Sequence, residues 1–212
     1  MVQPAVIAAA LMSATCFGGF GLLHALVEHG HTKAFDRRWL KAQRTAGGNP
    51  RIGKGWVPVM LTLTQLGGPL LRYLIALPIT AWLYERGQHA AAWWICAALG
   101  TGWIADTVAK KVFKRHRPTL VPHLARAGGP SFPSGHTFNG LLVYSALSLG
   151  FAPLLGPWLL AALAGCALLS LAIAFSRVWL GVHWPTDVGA GWLLGAAWLF
   201  GSLAAKWQFV AA

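Results

Sequence analysis

The segment WLLAALAGCALLSLAIAF occupies residues 158–175 and contains no charged side chain. A helix needs about 20 predominantly apolar residues to cross the hydrocarbon core of a bilayer. Within lipid, every backbone polar group must be satisfied inside its own segment, so a stretch of this kind is expected to be helical. This segment therefore predicts a membrane-spanning helix and an all-α fold.

Five further segments have a similar apolar character. They occupy residues of about 4–27, 56–84, 90–112, 135–151 and 184–203. With residues 158–175, they predict a six-transmembrane helix bundle that forms a single domain over residues 1–212. The second segment is interrupted by Gly67-Gly68-Pro69 and by Arg72. Because proline removes a helical hydrogen bond, we expect a kinked or broken helix there.

The composition also indicates a membrane protein. Hydrophobic residues make up 56% of the 212 residues and charged residues only 10%, whereas a soluble domain usually carries about 25% charged residues. The twelve Trp residues agree, because their amphipathic rings favour membrane interfaces. Cys16, Cys96 and Cys166 each lie in an apolar stretch without a C-x-x-C pattern, so we interpret them as small buried or lipid-facing residues.

The chain is strongly basic, with 17 Lys and Arg against 5 Asp and Glu. Such an excess can favour nucleic acid, anionic lipid headgroups or a phosphate-bearing substrate. Long apolar spans separate the cations, which argues against a nucleic-acid-binding protein. Seven cations lie in residues 29–55, where Phe35, Trp39 and Leu40 recur near helical spacing. This loop predicts either a short interfacial helix between spans 1 and 2 or a solvated basic loop.

Six spans would place both termini on the same side of the membrane. The loops at residues 29–55, 113–134 and 176–183 are then expected on one side, and the loops at 85–89 and 152–157 on the other. Nearly all the unusual polar residues lie on the first three loops. The sequence therefore predicts that these residues meet in space.

Three polar clusters fall on that side of the bundle. They are KKVFKRHRP at residues 110–118, FPSGHT at 132–137, and SR at 176–177 followed by His183 and Asp187. A phosphoryl group in transfer spreads its charge over three oxygens, so converging cations and backbone donors would stabilise it. Lys110 and Arg117 are about two helical turns apart, and Arg177 arrives from another loop.

The same clusters contain candidates for anion binding, nucleophilic attack and proton transfer. Ser134 and Gly135 lie where a helix is expected to begin, and a helix N-terminus favours an anion. A carboxylate at Asp187 on one ring nitrogen of His183 would leave the other nitrogen free to attack. His136 could then serve as acid and later as base. Each cluster alone also fits an ordinary cap or ion pair, but three on one face favour a functional site.

These clusters resemble the motif of the type 2 phosphatidic acid phosphatase superfamily, which also includes glucose-6-phosphatases and vanadium haloperoxidases. The family pattern is K-x6-R-P, then P-S-G-H, then S-R-x5-H-x3-D. The matching residues are Lys110, Arg117 and Pro118, then Pro133 to His136, then Ser176, Arg177, His183 and Asp187. The six-span plan is similar to the bacterial integral-membrane branch, which includes phosphatidylglycerophosphate phosphatase B and undecaprenyl-diphosphate phosphatases.

The resemblance implies a hydrolase that removes phosphate from a lipid phosphate or diphosphate through a phosphohistidine intermediate. It implies that His183 is the nucleophile, Asp187 its partner and His136 the acid. The residues that it assigns to phosphate binding are Lys110, Arg117, Ser134, Gly135 and Arg177. It implies no metal and no other cofactor. The candidate substrates are undecaprenyl diphosphate, phosphatidylglycerophosphate and phosphatidic acid, and the short loop at residues 119–130 favours a small headgroup or a bare polyprenyl diphosphate.

Two other functions stay open, as do orientation and oligomeric state. The same residues would serve phosphotransfer to an acceptor other than water, and Arg72 in the broken span could line a path in a non-catalytic lipid-binding or transport protein.

The resemblance implies a protein of the bacterial cytoplasmic membrane with its site facing the periplasm or exterior. The positive-inside rule predicts the reverse orientation, because most of the 17 Lys and Arg lie on the side of the site.

Overall fold

The computed structural model describes residues 3–210, which form helices joined by loops without a β-strand, so the predicted all-α class is confirmed. Two short 3₁₀ turns at Lys54–Trp56 and Gly156–Trp158 supplement nine α-helices among the described residues. These helices are α1 (Pro4–Glu28), α2 (Lys33–Ala42), α3 (Val57–Leu66), α4 (Pro69–Glu85), α5 (His89–Phe113), α6 (Gly135–Gly150), α7 (Ala152–Leu155), α8 (Leu159–Trp179) and α9 (Pro185–Val210).

Three segments are long and apolar enough to cross a membrane: Pro4–Glu28, Ala152–Trp179 and Pro185–Gln208. α3 and α4 meet the same requirement only as a pair, and they are bent by 47°, which agrees with the predicted break. The described residues thus contain three candidate spans, or four if the bent pair counts as one. Of the other two segments expected to span, α6 has only 16 residues, and α5 is less apolar and ends near Lys110 and Lys111.

α6 lies at the centre of the bundle and packs against α4, α5, α8 and α9. Its Phe138 and Leu142 side chains are fully buried. In contrast, Leu160 and Leu168 on α8 are 79% and 68% exposed. An exposed apolar face around a buried central helix is the arrangement that a lipid environment stabilises.

α9 crosses the beginning of α6 at backbone contact. A Cβ atom at Gly195 would lie 2.8 Å from the Phe138 carbonyl oxygen, and one at Gly191 would lie 2.5 Å from the Ser134 carbonyl oxygen. Small residues at such crossings let two helices approach closely. These glycines therefore let α9 lie directly against the start of α6, which carries the predicted site residues Gly135 and His136.

The loops that the sequence assigned to one side do meet. Arg44 Nη2 donates a hydrogen bond to the Trp179 carbonyl oxygen at 2.7 Å, which ties residues 29–55 to the end of α8. Leu124 N–H donates to the Leu180 carbonyl oxygen at 2.9 Å. The basic loop contains a short helix, α2, which packs against α9, and its fully buried Leu40 clusters with Val121 and Val178; its predicted place at the membrane interface stays a prediction.

Candidate active site

The three sequence clusters converge on one cavity of about 370 Å³. It lies at the end of the bundle where α6 begins and α8 ends. Six of the eight predicted site residues line it: Lys110, Arg117, Gly135, His136, Arg177 and His183. Asp187 and Ser134 lie behind this surface, and both are fully buried.

His183 lies in the short turn between α8 and α9. Gly181, two residues earlier, has a φ of +79°, and a glycine adopts this left-handed conformation without the strain that a Cβ would cause. The His183 side chain is only 2% exposed. Its Nδ1 lies 3.4 Å from Asp187 Oδ2, which is long for a hydrogen bond. The turn therefore presents a buried imidazole with Nδ1 toward a carboxylate and its other nitrogen, Nε2, toward the cavity.

The neighbours of His183 determine its tautomer. Arg117 Nη1 lies 3.1 Å from His183 Nε2, and a guanidinium can only donate. His183 Nε2 must therefore accept this hydrogen bond, which leaves the ring proton on Nδ1, on the side of Asp187. Burial lowers the pKa of His183 to about 4, with Arg177 and Arg117 acting in the same direction and Asp187 opposing them. The ring is thus neutral at neutral pH, as a nucleophile must be.

Asp187 is held in place from several directions. Its Oδ2 accepts a hydrogen bond from the Trp184 N–H at 2.9 Å, as a carboxylate in the third position of a helix does in a capping box. Its Oδ1 accepts one from Arg115 Nη1 at 2.6 Å. Its carbonyl oxygen accepts one from Ser134 N–H at 2.9 Å. The carboxylate therefore has little freedom to turn away from His183.

Ser134 differs from its expected arrangement. Its backbone N–H is engaged by Asp187, its Oγ accepts a hydrogen bond from Thr137 at 3.1 Å, and it does not line the cavity. The structure therefore does not bring Ser134 to the surface where a phosphate would bind. Instead, Ser134 links the start of α6 to the start of α9. Its predicted phosphate contact stays a prediction.

Arg117 is positioned entirely by neutral acceptors. It donates to the carbonyl oxygens of Val182 at 2.7 Å, Gly128 at 2.8 Å and Gly129 at 3.1 Å. Burial lowers the pKa of Arg117, and the charge of Asp187 opposes this effect. Because no carboxylate forms an ion pair with it among the described residues, its positive charge remains available to an anion in the cavity.

Lys110 and Gly135 occupy one crowded position at the start of α6. Lys110 Nζ forms an ion pair with Asp106 Oδ2 at 2.8 Å. A Cβ at Gly135 would overlap both Lys110 Nζ and the Asp106 carboxylate. Glycine at 135 therefore lets the ammonium group lie directly against the first turn of α6, where unpaired helix N–H groups add to its attraction for an anion.

Arg177 completes the predicted cation set. Its side chain is 3% exposed, and its Nη1 donates to Thr64 Oγ1 on α3 at 2.6 Å. Its buried Nε has no hydrogen-bond partner. Thr64 therefore orients the guanidinium while leaving donors for a ligand. No three His, Cys, Asp or Glu side chains within residues 3–210 are grouped so that they could hold a metal ion.

Sequence reasoning missed the residues that hold Asp187 from behind. Arg115 Nη2 forms an ion pair with Asp36 Oδ2 at 2.7 Å, while its Nη1 reaches Asp187. Asp36 also accepts hydrogen bonds from the Thr186 N–H at 3.0 Å and the Thr186 hydroxyl at 2.7 Å. The one available signal was that Asp36, one of only 5 acidic residues in the chain, lies among the cations of α2. Arg115 and Asp36 thereby connect α2 to the candidate nucleophile.

A family model described as the PAP2 superfamily matches residues 91–211. This range is more than half of the chain and includes all three clusters. The chain belongs to the PAP2 superfamily, which is the type 2 phosphatidic acid phosphatase superfamily. The resemblance inferred from the sequence is thereby confirmed.

Curated PAP2 relatives agree with this membership. The chain is 28% identical over 155 residues to phosphatidylglycerophosphatase B of Bacillus subtilis (strain 168). This alignment covers 70% of this chain and 75% of the relative. It is 30% identical over 161 residues to a putative undecaprenyl-diphosphatase of Escherichia coli (strain K12). That alignment covers 71% of this chain and 75% of the relative.

The PAP2 fold is also found in a solved structure. A transmembrane PAP2 type phosphatidylglycerolphosphate phosphatase from Bacillus subtilis superposes with a TM-score of 0.82 at 24% identity, over 94% of this chain and 97% of the other. This similarity shows a shared fold. Together with the candidate spans, it identifies an integral membrane protein.

Proposed function

We propose that this PAP2 protein hydrolyses a membrane lipid phosphate or diphosphate through a phosphohistidine intermediate on His183. The observation that carries the proposal is a neutral, buried imidazole whose Nε2 faces a cation-lined cavity while Asp187 stands behind Nδ1. The relatives named as phosphatidylglycerophosphatase and undecaprenyl-diphosphatase support a lipid substrate. Undecaprenyl diphosphate, phosphatidylglycerophosphate and phosphatidic acid are the candidates.

In the first step, His183 Nε2 attacks phosphorus and the bond to the leaving oxygen breaks. His136 donates a proton to that oxygen. The phosphorylated imidazole becomes cationic, and Asp187 stabilises this charge beside Nδ1. For the attack to occur, Arg117 must transfer its hydrogen bond from Nε2 to an oxygen of the substrate, which couples phosphate binding to release of the nucleophile.

In the second step, water replaces the imidazole. His136, now deprotonated, takes a proton from the water as the oxygen attacks phosphorus, the N–P bond breaks, and inorganic phosphate leaves. Lys110, Arg117 and Arg177 neutralise the oxygens of the transferred group in both steps. We propose that no metal takes part, since these three cations supply the positive charge that a metal would otherwise provide.

For the membrane arrangement, we propose one domain of six spans with α2 lying on the headgroups and the site facing the periplasm or exterior. Phe35 and Trp39 of α2 are 50% and 49% exposed, and their rings lie 6.1 Å apart. Together with the surrounding Lys and Arg, they form the amphipathic surface that an interfacial helix requires. Labelling of Lys41→Cys from outside intact cells, with Gln88→Cys unlabelled, would support this orientation, and the reverse pattern would refute it.

The reaction is tested by phosphate release from a panel of lipid phosphates in EDTA. We expect release by the wild type, none by His183→Ala, and near-normal release by His89→Ala, a histidine in the first turn of α5 that does not line the cavity. Release by His183→Ala would refute the nucleophile. Phosphate appearing on an added alcohol acceptor instead of in solution would identify phosphotransfer, and binding without turnover would identify a binding or transport role.

A further inference from the structure

The cavity carries more positive charge than the proposed phosphate ligands account for. Beyond Lys110, Arg117 and Arg177, it is also lined by Arg72 and Arg126. Asp106 is the one carboxylate among its lining residues, and it is paired with Lys110. One phosphate monoester carries at most about two negative charges near neutral pH. The surplus of cations therefore points to a ligand with more negative charge than a single phosphate.

Of the two additional cations, Arg72 is buried and Arg126 is exposed. The residue exposure of Arg72 is 7%. Within residues 3–210 its hydrogen-bond partner is the Tyr73 hydroxyl at 3.5 Å, and its guanidinium lies 4.9 Å from the Tyr73 ring centroid. It forms no ion pair with a carboxylate there. A buried charge without a counter-ion is strongly unfavourable, so an anion in the cavity would stabilise this arrangement.

The break between α3 and α4 brings Arg72 to the cavity. A Cβ at Gly67 would lie 2.8 Å from the His136 carbonyl oxygen and 2.7 Å from Ile173 Cγ2, so the break packs directly against the start of α6. Gly67 and Pro69 themselves line the cavity.

The first turn of α4 thus faces the same space as Arg72. Pro69 has no N–H, and the Arg72 N–H donates to the Gly68 carbonyl oxygen at 3.4 Å. The Leu70 and Leu71 amides are therefore the donors of this turn that lack intrahelical acceptors.

We propose that the first turn of α4 and Arg72 form a second phosphate subsite and that the substrate is a lipid diphosphate. This inference rests on the proposed function. Lys110, Arg117 and Arg177 would hold the terminal phosphate opposite His183. The second subsite adjoins His136, which protonates the leaving oxygen, so Arg72 would bind the phosphate that remains on the lipid.

In this reaction the diphosphate is cleaved between its two phosphorus atoms. His183 Nε2 forms a bond to the terminal phosphorus, and the bond between that phosphorus and the bridging oxygen breaks. The electron pair stays on the bridging oxygen, which becomes an oxygen of the departing lipid monophosphate. Arg72 neutralises the charge that develops there, and His136 supplies the proton. Water then cleaves the N–P bond and releases inorganic phosphate.

The test compares kcat/KM for a polyprenyl diphosphate and for the monophosphate with the same tail. We expect the wild type to prefer the diphosphate. Arg72→Gln should lower kcat/KM for the diphosphate by about 30-fold, as expected for a charged hydrogen bond, and for the monophosphate by less than about threefold. Arg72→Lys should recover part of the preference. The matched control is Arg86→Gln, which removes an arginine that lies over Trp82 at the other end of α4.

A second measurement covers the case in which the variant folds poorly or turnover is absent. Detergent-solubilised wild type should be stabilised against heat more by methylenediphosphonate than by inorganic phosphate, and Arg72→Gln should reduce that difference. Equal losses for both substrates in Arg72→Gln, or an unchanged preference between the two anions, would overturn the second subsite. If the wild type hydrolyses neither polyprenyl substrate, the panel of lipid phosphates in EDTA decides the proposed function separately, and the anion comparison still decides the subsite.

Discussion

Arg117 Nη1 donates a hydrogen bond to His183 Nε2 across 3.1 Å. The lone pair proposed to attack phosphorus is therefore occupied by the same cation proposed to bind the phosphate. An anion that enters the cavity competes with Nε2 for this guanidinium, and the competition frees the imidazole only when a substrate is present. Arg117 thus has a positioning role beyond the neutralisation of charge.

Arg117→Lys is expected to lower kcat/KM by about 100-fold, because an ammonium group cannot reproduce the planar fork. A lysine would lose the simultaneous contacts with Val182, Gly128 and Gly129. The measurement is steady-state hydrolysis of a short-chain lipid phosphate. Arg86→Lys, on the opposite end of the bundle, provides the control. A loss of less than about threefold in kcat/KM for Arg117→Lys would mean that a positive charge at this position is enough for activity, without the planar fork of arginine.

The pH dependence should reflect the low pKa of His183. Because burial lowers this pKa to about 4, the free enzyme keeps a neutral nucleophile well below the usual histidine pKa of about 6.5. Protonation of His183 should therefore reduce kcat/KM only as the pH falls toward 4. NMR titration of the ring in ¹⁵N-histidine-labelled protein, with His183→Gln to assign its signal, measures the pKa directly. A His183 titration near 6.5 would contradict the buried arrangement.

Arg115→Gln is expected to lower kcat by about 10- to 100-fold with little change in KM, because it releases Asp187 without removing a cavity cation. Asp36→Asn should produce a similar loss. Since both substitutions interrupt one chain of contacts, the double variant should lose much less than the product of the single effects. Lys111→Gln, an exposed change on α5, is the control. Multiplicative losses would show that Asp36 and Arg115 act separately.

Gly135→Ala is expected to reduce kcat/KM at least about tenfold, because the added Cβ would displace Lys110 and Asp106 from the start of α6. Gly100→Ala provides a matched helical control, since a Cβ there meets nothing within 4 Å. The control should retain activity and melt at the same or a higher temperature. Full activity in Gly135→Ala would show that the position of the Lys110 ammonium is not critical.

His136→Ala is expected to slow formation of the phosphoenzyme, and the loss should shrink as the leaving group improves. An alkoxide needs a proton as it departs, whereas a nitrophenolate needs little help. Rapid-quench measurement of acid-labile, protein-bound phosphate with an alkyl phosphate and a nitrophenyl phosphate compares the two. The same loss with both substrates would assign His136 to binding rather than to proton transfer.

Much of the candidate site could be predicted from the sequence because its chemistry is encoded in local spacing. Lys110 lies in the last turn of α5 and Arg117 in the loop just after it, and His183 and Asp187 are four residues apart across the start of α9. The expected break at Gly67-Gly68-Pro69 also followed from local chemistry, since glycine and proline act on the backbone where they occur. Ser134 was less predictable, because its amide is taken by Asp187, which lies on another helix.

The sequence by itself thus determined the helical class, the broken segment and the three motif clusters, because apolar runs and turn residues act over short distances along the chain. Only the tertiary structure decided that Asp36 and Arg115 hold Asp187, and that Arg72 lies buried beside the cavity. Asp36 and Arg115 are 79 residues apart, and the strength of an ion pair depends on distance in space and on burial. Neither quantity exists until the helices have packed.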